Sequence, residues 1–148
     1  MRDLECYKNS IEFIKDIPSF MFGGSFSLKK RWILDRKIWD IDIIVPASFW
    51  WEFKERWYEI YFHTNRYCNI LPDWIFIYTY EFKDWSIDLI FRKDFNSLKF
   101  DVINWYKHLE IQEIMKQKEH LLDNWTWDVD SKHKEDIKKI KAFIWKNS

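Results

Sequence analysis

Two aspartates inside one apolar run constrain this chain more than any other feature. The run is Trp39-Asp40-Ile41-Asp42-Ile43-Ile44-Val45, and Pro46 stops it. It is β-branched, alternating and bounded by proline, so it reads as a strand over 39–45. Side chains alternate faces along a strand. Asp40 and Asp42 therefore share one face, and Ile41 and Ile43 share the other. Neighbouring carboxylates repel, and burying either without a partner is costly. A hard cation with oxygen ligands relieves both problems. Mg²⁺ held by one or two carboxylates plus substrate phosphates is the usual arrangement.

A complement lies upstream. Phe20–Phe22 reads as a short strand over 20–22 that ends at Gly23-Gly24-Ser25. Lacking Cβ atoms, Gly23 and Gly24 let the backbone approach a ligand and take positive φ. N–H groups at such a turn, or at the start of the next helix, can hold phosphate oxygens. Ser25 either caps the helix expected over 25–33 or touches a phosphate. Lys29, Lys30, Arg31, Arg36 and Lys37 make the following segment basic. Most of these read as a solvated face, and Arg36 is the first choice to face a triphosphate.

A Gly-Gly turn, fifteen intervening residues and Asp-x-Asp in an apolar strand resemble the DNA polymerase β-type nucleotidyltransferase superfamily. The likeness is to its small bacterial members, such as lincosamide and aminoglycoside nucleotidyltransferases. Arg36, four residues before Asp40, falls where those proteins often carry an arginine. The resemblance implies a third acid on a later strand. Asp88, flanked by Ile87, Leu89 and Ile90, is the downstream carboxylate in a strand-like context. Read without the resemblance, Asp88 is an exposed position on a half-solvated strand. Lys118 falls inside a helical apolar stripe, seven residues after Ile111. It either snorkels to the edge or, as the resemblance implies, points into the site. The segment Lys132-His133-Lys134-Glu135-Asp136-Ile137 resembles an element that braces the site in those families. That puts Lys132 and Asp136 near it.

The resemblance thus implies a metal-dependent nucleotidyltransferase. Asp40, Asp42 and Asp88 would hold Mg²⁺, or Mn²⁺ in its place. Gly23, Gly24, Ser25, Arg36 and Lys118 would bind an NTP, ATP being the first choice. The reaction would move an NMP to an acceptor hydroxyl on a small molecule or a protein and release pyrophosphate. Two alternatives stay open: a protein-AMPylating enzyme of a toxin–antitoxin or defence system, and a non-catalytic nucleotide- or partner-binding module on the same fold.

Composition narrows the setting. At 148 residues one domain is expected, with a catalytic core over 1–94 and C-terminal helices over 108–147. Hydrophobic residues are 47% and charged residues 32%, which excludes a disordered chain. No apolar run approaches a membrane span, and the N-terminus lacks a signal-peptide apolar region, so a cytoplasmic monomer or homodimer is expected. The 24 basic and 24 acidic residues cancel, which disfavours nucleic acid as a partner. Cys6 and Cys68 read as free thiols, and no structural zinc is expected. The 11 tryptophans are expected to fill the core.

The remaining periodicities place the other elements. Leu4, Tyr7, Ile11 and Ile14 predict a helix over 3–17 that Pro18 closes. Trp50, Phe53, Trp57 and Ile60 form the stripe of a helix over 47–62. Strands are expected over 67–71, 74–80 and 85–91, the last two joined as a hairpin through Glu81-Phe82-Lys83-Asp84. Residues 92–106 read as irregular. A helix follows over 108–122, with Ile111, Ile114, Met115, Leu121 and Leu122 inward. The final helix, capped by Ser131, turns Ile137, Ile140 and Ile144 inward. The sum is an α/β (α+β) chain in a minimal nucleotidyltransferase fold. It has a mixed sheet of about five strands, helices mainly on one face, and a C-terminal helix pair beside the site.

Overall fold

The alternating run around Asp40 forms a seven-residue strand, Asp40–Pro46, with a neighbour on each side. The computed structural model describes residues 15, 17–38, 40–52, 63–64, 75–81, 86–124 and 130–147. In chain order its strands are β1 (Met21–Gly23), β2 (Asp40–Pro46), β3 (His63–Thr64), β4 (Ile75–Glu81), β5 (Ser86–Arg92), β6 (Phe100–Ile103) and β7 (Tyr106–Leu109). Its helices are α1 (Gly24–Lys30), α2 (Ile111–Asn124) and α3 (Asp130–Lys146). The seven strands form one sheet in the order β3-β4-β5-β2-β1-β7-β6. The β2–β5 and β1–β7 pairs are parallel and the others antiparallel. The fold is α+β, with a mixed sheet and a C-terminal helix pair.

Alternation explains the core. Ile41, Ile43 and Val45 on one face of β2 stand opposite Ile87, Leu89 and Phe91 of β5. All six are at most 2% exposed. Fully burying an aliphatic or aromatic side chain of this size contributes roughly 1.5–3 kcal/mol, so this face anchors the sheet. α1 packs on the same face at the β1 end. Phe26 lies against Phe22, with ring centroids 4.8 Å apart. Phe22 pairs with Ile43 in the antiparallel register.

Four expected strands appear within one residue of their expected bounds, as β1, β2, β4 and β5. Other features differ. Residues 92–106 are not irregular: they hold a 3-10 turn at Phe95–Ser97, all of β6 and the start of β7. The helix expected from 108 therefore begins at Ile111, because Tyr106–Leu109 pairs with β1 and β6. The sheet gains two strands at that edge.

The helix after Gly-Gly stops at Lys30 rather than 33. The final helix starts at Asp130, so Ser131 lies inside it. At 47–52 the chain makes a 3-10 turn, Ala47–Phe49, and then begins a helical segment at Trp50. The rest of the 47–62 helix, the 67–71 strand and nearly all of the 3–17 helix lie outside the described residues. So do Cys6, Cys68 and the linker at 82–85. The core expectation for tryptophan fails among the described residues. Trp32, Trp51, Trp105 and Trp145 are 69–96% exposed, and Trp50 is half-buried. Ile, Leu and Phe build the core instead. Among the described residues no helix is long and apolar enough to cross a membrane.

Candidate functional site

The parallel register between β2 and β5 sets Asp42 directly beside Asp88. Asp40 lies two residues before Asp42 on the same face. One carboxylate oxygen from each of the three lies within 4.8 Å of the others. Asp88 is buried at 5% exposure, which corrects the reading of a solvent-facing position. Asp40 and Asp42 are half-buried, so the cluster is reachable from one side.

Electrostatics singles out Asp42. Burial, then repulsion from Asp88 and Asp40, pushes the Asp42 carboxyl well above the usual carboxylate range. Lys118 opposes this rise, and a hydrogen bond with Asp88 adds to it. Three carboxylates this close cannot all stay ionised comfortably without a counter-charge. A divalent cation is such a counter-charge, and an all-oxygen donor set is the set that Mg²⁺ and Mn²⁺ take. The residues fit a hard divalent cation.

The turn between β1 and α1 completes this edge. Gly23 pairs with Asp42 across the β1–β2 ladder. Gly24 adopts φ +56°, a left-handed conformation that glycine takes without strain. It abuts the Asp42 carboxylate so closely that any side chain there would displace it.

Ser25 does not cap α1. Gly23 is the N-cap residue and no side chain supplies a cap bond. The Ser25 hydroxyl instead joins a buried polar cluster. Arg36 donates from Nη2 to Ser25 Oγ at 3.0 Å and to Asp136 Oδ2 at 2.9 Å. Lys118 donates from Nζ to Asp136 Oδ2 at 2.9 Å and to Ser25 Oγ at 3.4 Å. Ser25 Oγ itself lies 3.4 Å from Asp136 Oδ2 and donates to it.

Lys118 is 4% and Asp136 1% exposed, so Lys118 does not snorkel to solvent. Burial alone would raise the Asp136 carboxyl. Lys118, then Arg36, outweigh burial and hold it below the usual range. Two cations against one carboxylate leave the cluster with an excess of one positive charge. It lies beside the acids, close enough for Lys118 to act on Asp42.

The fold therefore brings together the residues singled out from the sequence at this site, Lys132 excepted. Asp40, Asp42 and Asp88 form one pole. Ser25, Arg36, Lys118 and Asp136 form the other, and Gly23 and Gly24 join them. Lys132 is exposed and belongs to neither pole.

His133 was not singled out from the sequence. Burial, then Lys118 and Lys132, lower its pKa to about 4 against the opposing pull of Asp136. It is neutral near pH 7, and its buried Nδ1 has no hydrogen-bond partner among the described residues. Its spacing, three residues before Asp136 on one helix, was the available signal.

Comparison with family models, curated proteins and solved structures finds no match to this chain.

Proposed function

We propose that this protein is a metal-dependent nucleotidyltransferase that moves an NMP from an NTP to an acceptor hydroxyl. One observation carries the reading: three carboxylates from two parallel strands converge within 4.8 Å against a glycine turn that leaves no room for a side chain. Buried like charges on adjacent strands cost stability, and packing alone does not require them. The neighbouring cluster of Arg36, Lys118 and Asp136, with its excess positive charge, supports the phosphate side of the reading.

Asp40, Asp42 and Asp88 would hold Mg²⁺ or Mn²⁺. When bound, the metal supplies neutralisation of charge developing on the transferring phosphoryl group. The Gly23-Gly24 turn lets phosphate oxygens approach the backbone, and Ser25, Arg36 and Lys118 orient them. The acceptor oxygen attacks the α-phosphorus as its bond to the pyrophosphate oxygen breaks. Pyrophosphate leaves with that electron pair. Asp88 takes the hydroxyl proton as general base. A small-molecule acceptor is the first choice, and a protein hydroxyl is the alternative.

A second reading, nucleotide or partner binding without turnover, is favoured by one observation. Both cations already bond Asp136, as a purely bracing network would.

The test is the melting temperature with each of the four NTPs, with and without Mg²⁺, for wild type and Asp42→Asn. A ligand that binds only the folded state raises it. A Mg²⁺-dependent shift with one NTP, lost in Asp42→Asn, is expected. No shift with any NTP counts against nucleotide binding in either reading and leaves partner binding on this fold. Pyrophosphate release in an acceptor screen then separates turnover from binding.

A further inference from the structure

Opposite the acids, on the Ile41 face of β2, lies a cavity of about 400 Å³. This is within the usual range for small-molecule sites. Its apolar walls are Phe26, Trp32, Leu34, Ile38 and Ile41, and Lys29 and Lys30 line it as well. Asp35 is the one acid there, and it also faces Lys139 at 3.5 Å. The lining is therefore apolar and aromatic with an excess of positive charge.

Trp32 carries the argument. The Ile33 N–H donates to Leu28 O and the Trp32 N–H to Lys29 O, both at 3.0 Å. This is the Schellman closure of α1, with Trp32 at the left-handed position that glycine usually fills. Trp32 has φ +63° and is 93% exposed. A bulky residue in that region is strained, and exposed indole gains nothing from core packing.

The pattern repeats nearby. Asn104 and Trp105 form the two-residue turn between β6 and β7, with φ of +50° and +77°. Both signs match a type I′ turn, whose second position prefers glycine. Trp105 is 96% exposed, and Asn104 lines the cavity. Two tryptophans thus occupy glycine positions, one on the cavity wall and one next to Asn104, which lines it. Backbone strain of this kind persists where the side chain has a use.

We propose that this cavity binds a small planar aromatic ligand carrying an acidic group, such as an aryl carboxylate, sulfonate or phosphate. The ring enters between Phe26, Ile41 and the exposed face of Trp32. The acidic group meets Lys29 and Lys30. Ring stacking on an exposed indole buries apolar area that the free protein leaves in water. Planarity follows from the aromatic walls, and charge from the two ammonium groups. The site is separate from the acid cluster, because Ile41 and Asp42 project to opposite faces of β2. It does not depend on the nucleotidyl-transfer reading.

The probe is anilinonaphthalene sulfonate, a fluorescent aryl anion, titrated into metal-free protein alongside neutral phenylnaphthylamine. Wild type should show one saturable site for the anion. Trp32→Gly removes the indole and relieves the strained turn, so it should melt a few degrees higher while binding the probe about tenfold or more weakly. Lys30→Gln should weaken the anion several-fold and leave the neutral probe unchanged. Equal anion affinity in wild type and Trp32→Gly overturns the proposal, as does the absence of a saturable site. A single-stranded oligothymidylate that displaces the probe and binds more tightly overturns the small-molecule assignment in favour of nucleic acid.

Discussion

Gly24 packs against the Asp42 carboxylate with no room for a side chain of its own. A Cβ on Gly24 would overlap Oδ2 of Asp42 and come within 2.6 Å of its Cγ. Gly24→Ala must therefore push the carboxylate out of the cluster. It also places a side chain at φ +56°, which costs about 1–2 kcal/mol in the left-handed region. The expected outcome is a stability loss of at least that size, together with loss of Mg²⁺-dependent stabilisation. Urea unfolding with and without Mg²⁺ checks both.

Asp42→Asn should act in the opposite direction on the metal-free protein. Two unit charges at the cluster's widest separation of 4.8 Å repel by roughly 3 kcal/mol at an effective dielectric of about 20. The native protein avoids much of this repulsion, because Asp42 holds its proton more tightly than usual. Removing its charge should stabilise the apo protein by a fraction of that figure and abolish its response to Mg²⁺. A variant that melts lower than wild type without metal would show that the acids are not in conflict.

The buried pair at the other pole should behave asymmetrically. Lys118 and Asp136 meet at 2.9 Å with both side chains almost fully covered. Truncating one partner leaves a buried charge without its counter-ion and costs about 3–5 kcal/mol. Asp136→Asn should destabilise more than Lys118→Met, because it also takes the counter-charge from Arg36. The double variant should recover part of the sum of the two losses. Chemical denaturation of the cycle gives the coupling directly.

Acid stability should decline in two stages. His108 and His133 have pKa values of about 4 in the fold against 6.5 ordinarily. Each binds a proton more readily in the unfolded chain. Their contribution is complete above 6.5 and is lost as pH falls toward 4. Burial is the main cause at His108, followed by Arg31 and Lys30. Its Nδ1 shares a 2.9 Å hydrogen bond with Ser27 Oγ. Asp136, held low, adds a second loss at more acidic pH. His108→Gln should shrink the first stage to the share of His133 and leave the second. Melting temperature against pH for both proteins is the check, and an unchanged slope between 6.5 and 4 contradicts the assignment.

The metal-free protein should also lose stability as pH rises through the Asp42 titration. A carboxyl with a raised pKa favours the folded state only while it is protonated. That contribution is fully present below the ordinary carboxylate range and is lost above it. Mg²⁺ should offset the loss, so its stabilising effect should grow with pH over the same interval. Mg²⁺ titrations followed by melting at several pH values read this out.

The acid pair was legible because alternation along one strand is a local property: Asp40 and Asp42 share a face whatever the rest of the chain does. The hairpin of β4 and β5 was legible for the same reason. Asp88 needed the resemblance, since nothing near it in sequence says that β5 lies parallel beside β2. The two readings of Ser25, cap or site residue, could not be separated locally because its partners Arg36, Lys118 and Asp136 are 11, 93 and 111 residues away. The β6–β7 hairpin was missed because Asn104-Trp105 lacks the glycine that marks such turns. The end of α1 was missed because Trp32 stands where the stop signal should be. Aromatic composition misled for a related reason: several tryptophans serve the surface of this protein.

The left-handed turn at Trp32 also has a consequence at the level of the gene. A tryptophan codon becomes a glycine codon by a change of one base. The exchange would ease the backbone, and mutations of that kind are common sources of added stability. A lineage with no use for the indole would therefore drift to glycine at this position in a single step. The residue found at position 32 in close natural variants is a selection experiment already performed, and it reports on the indole without any ligand being known.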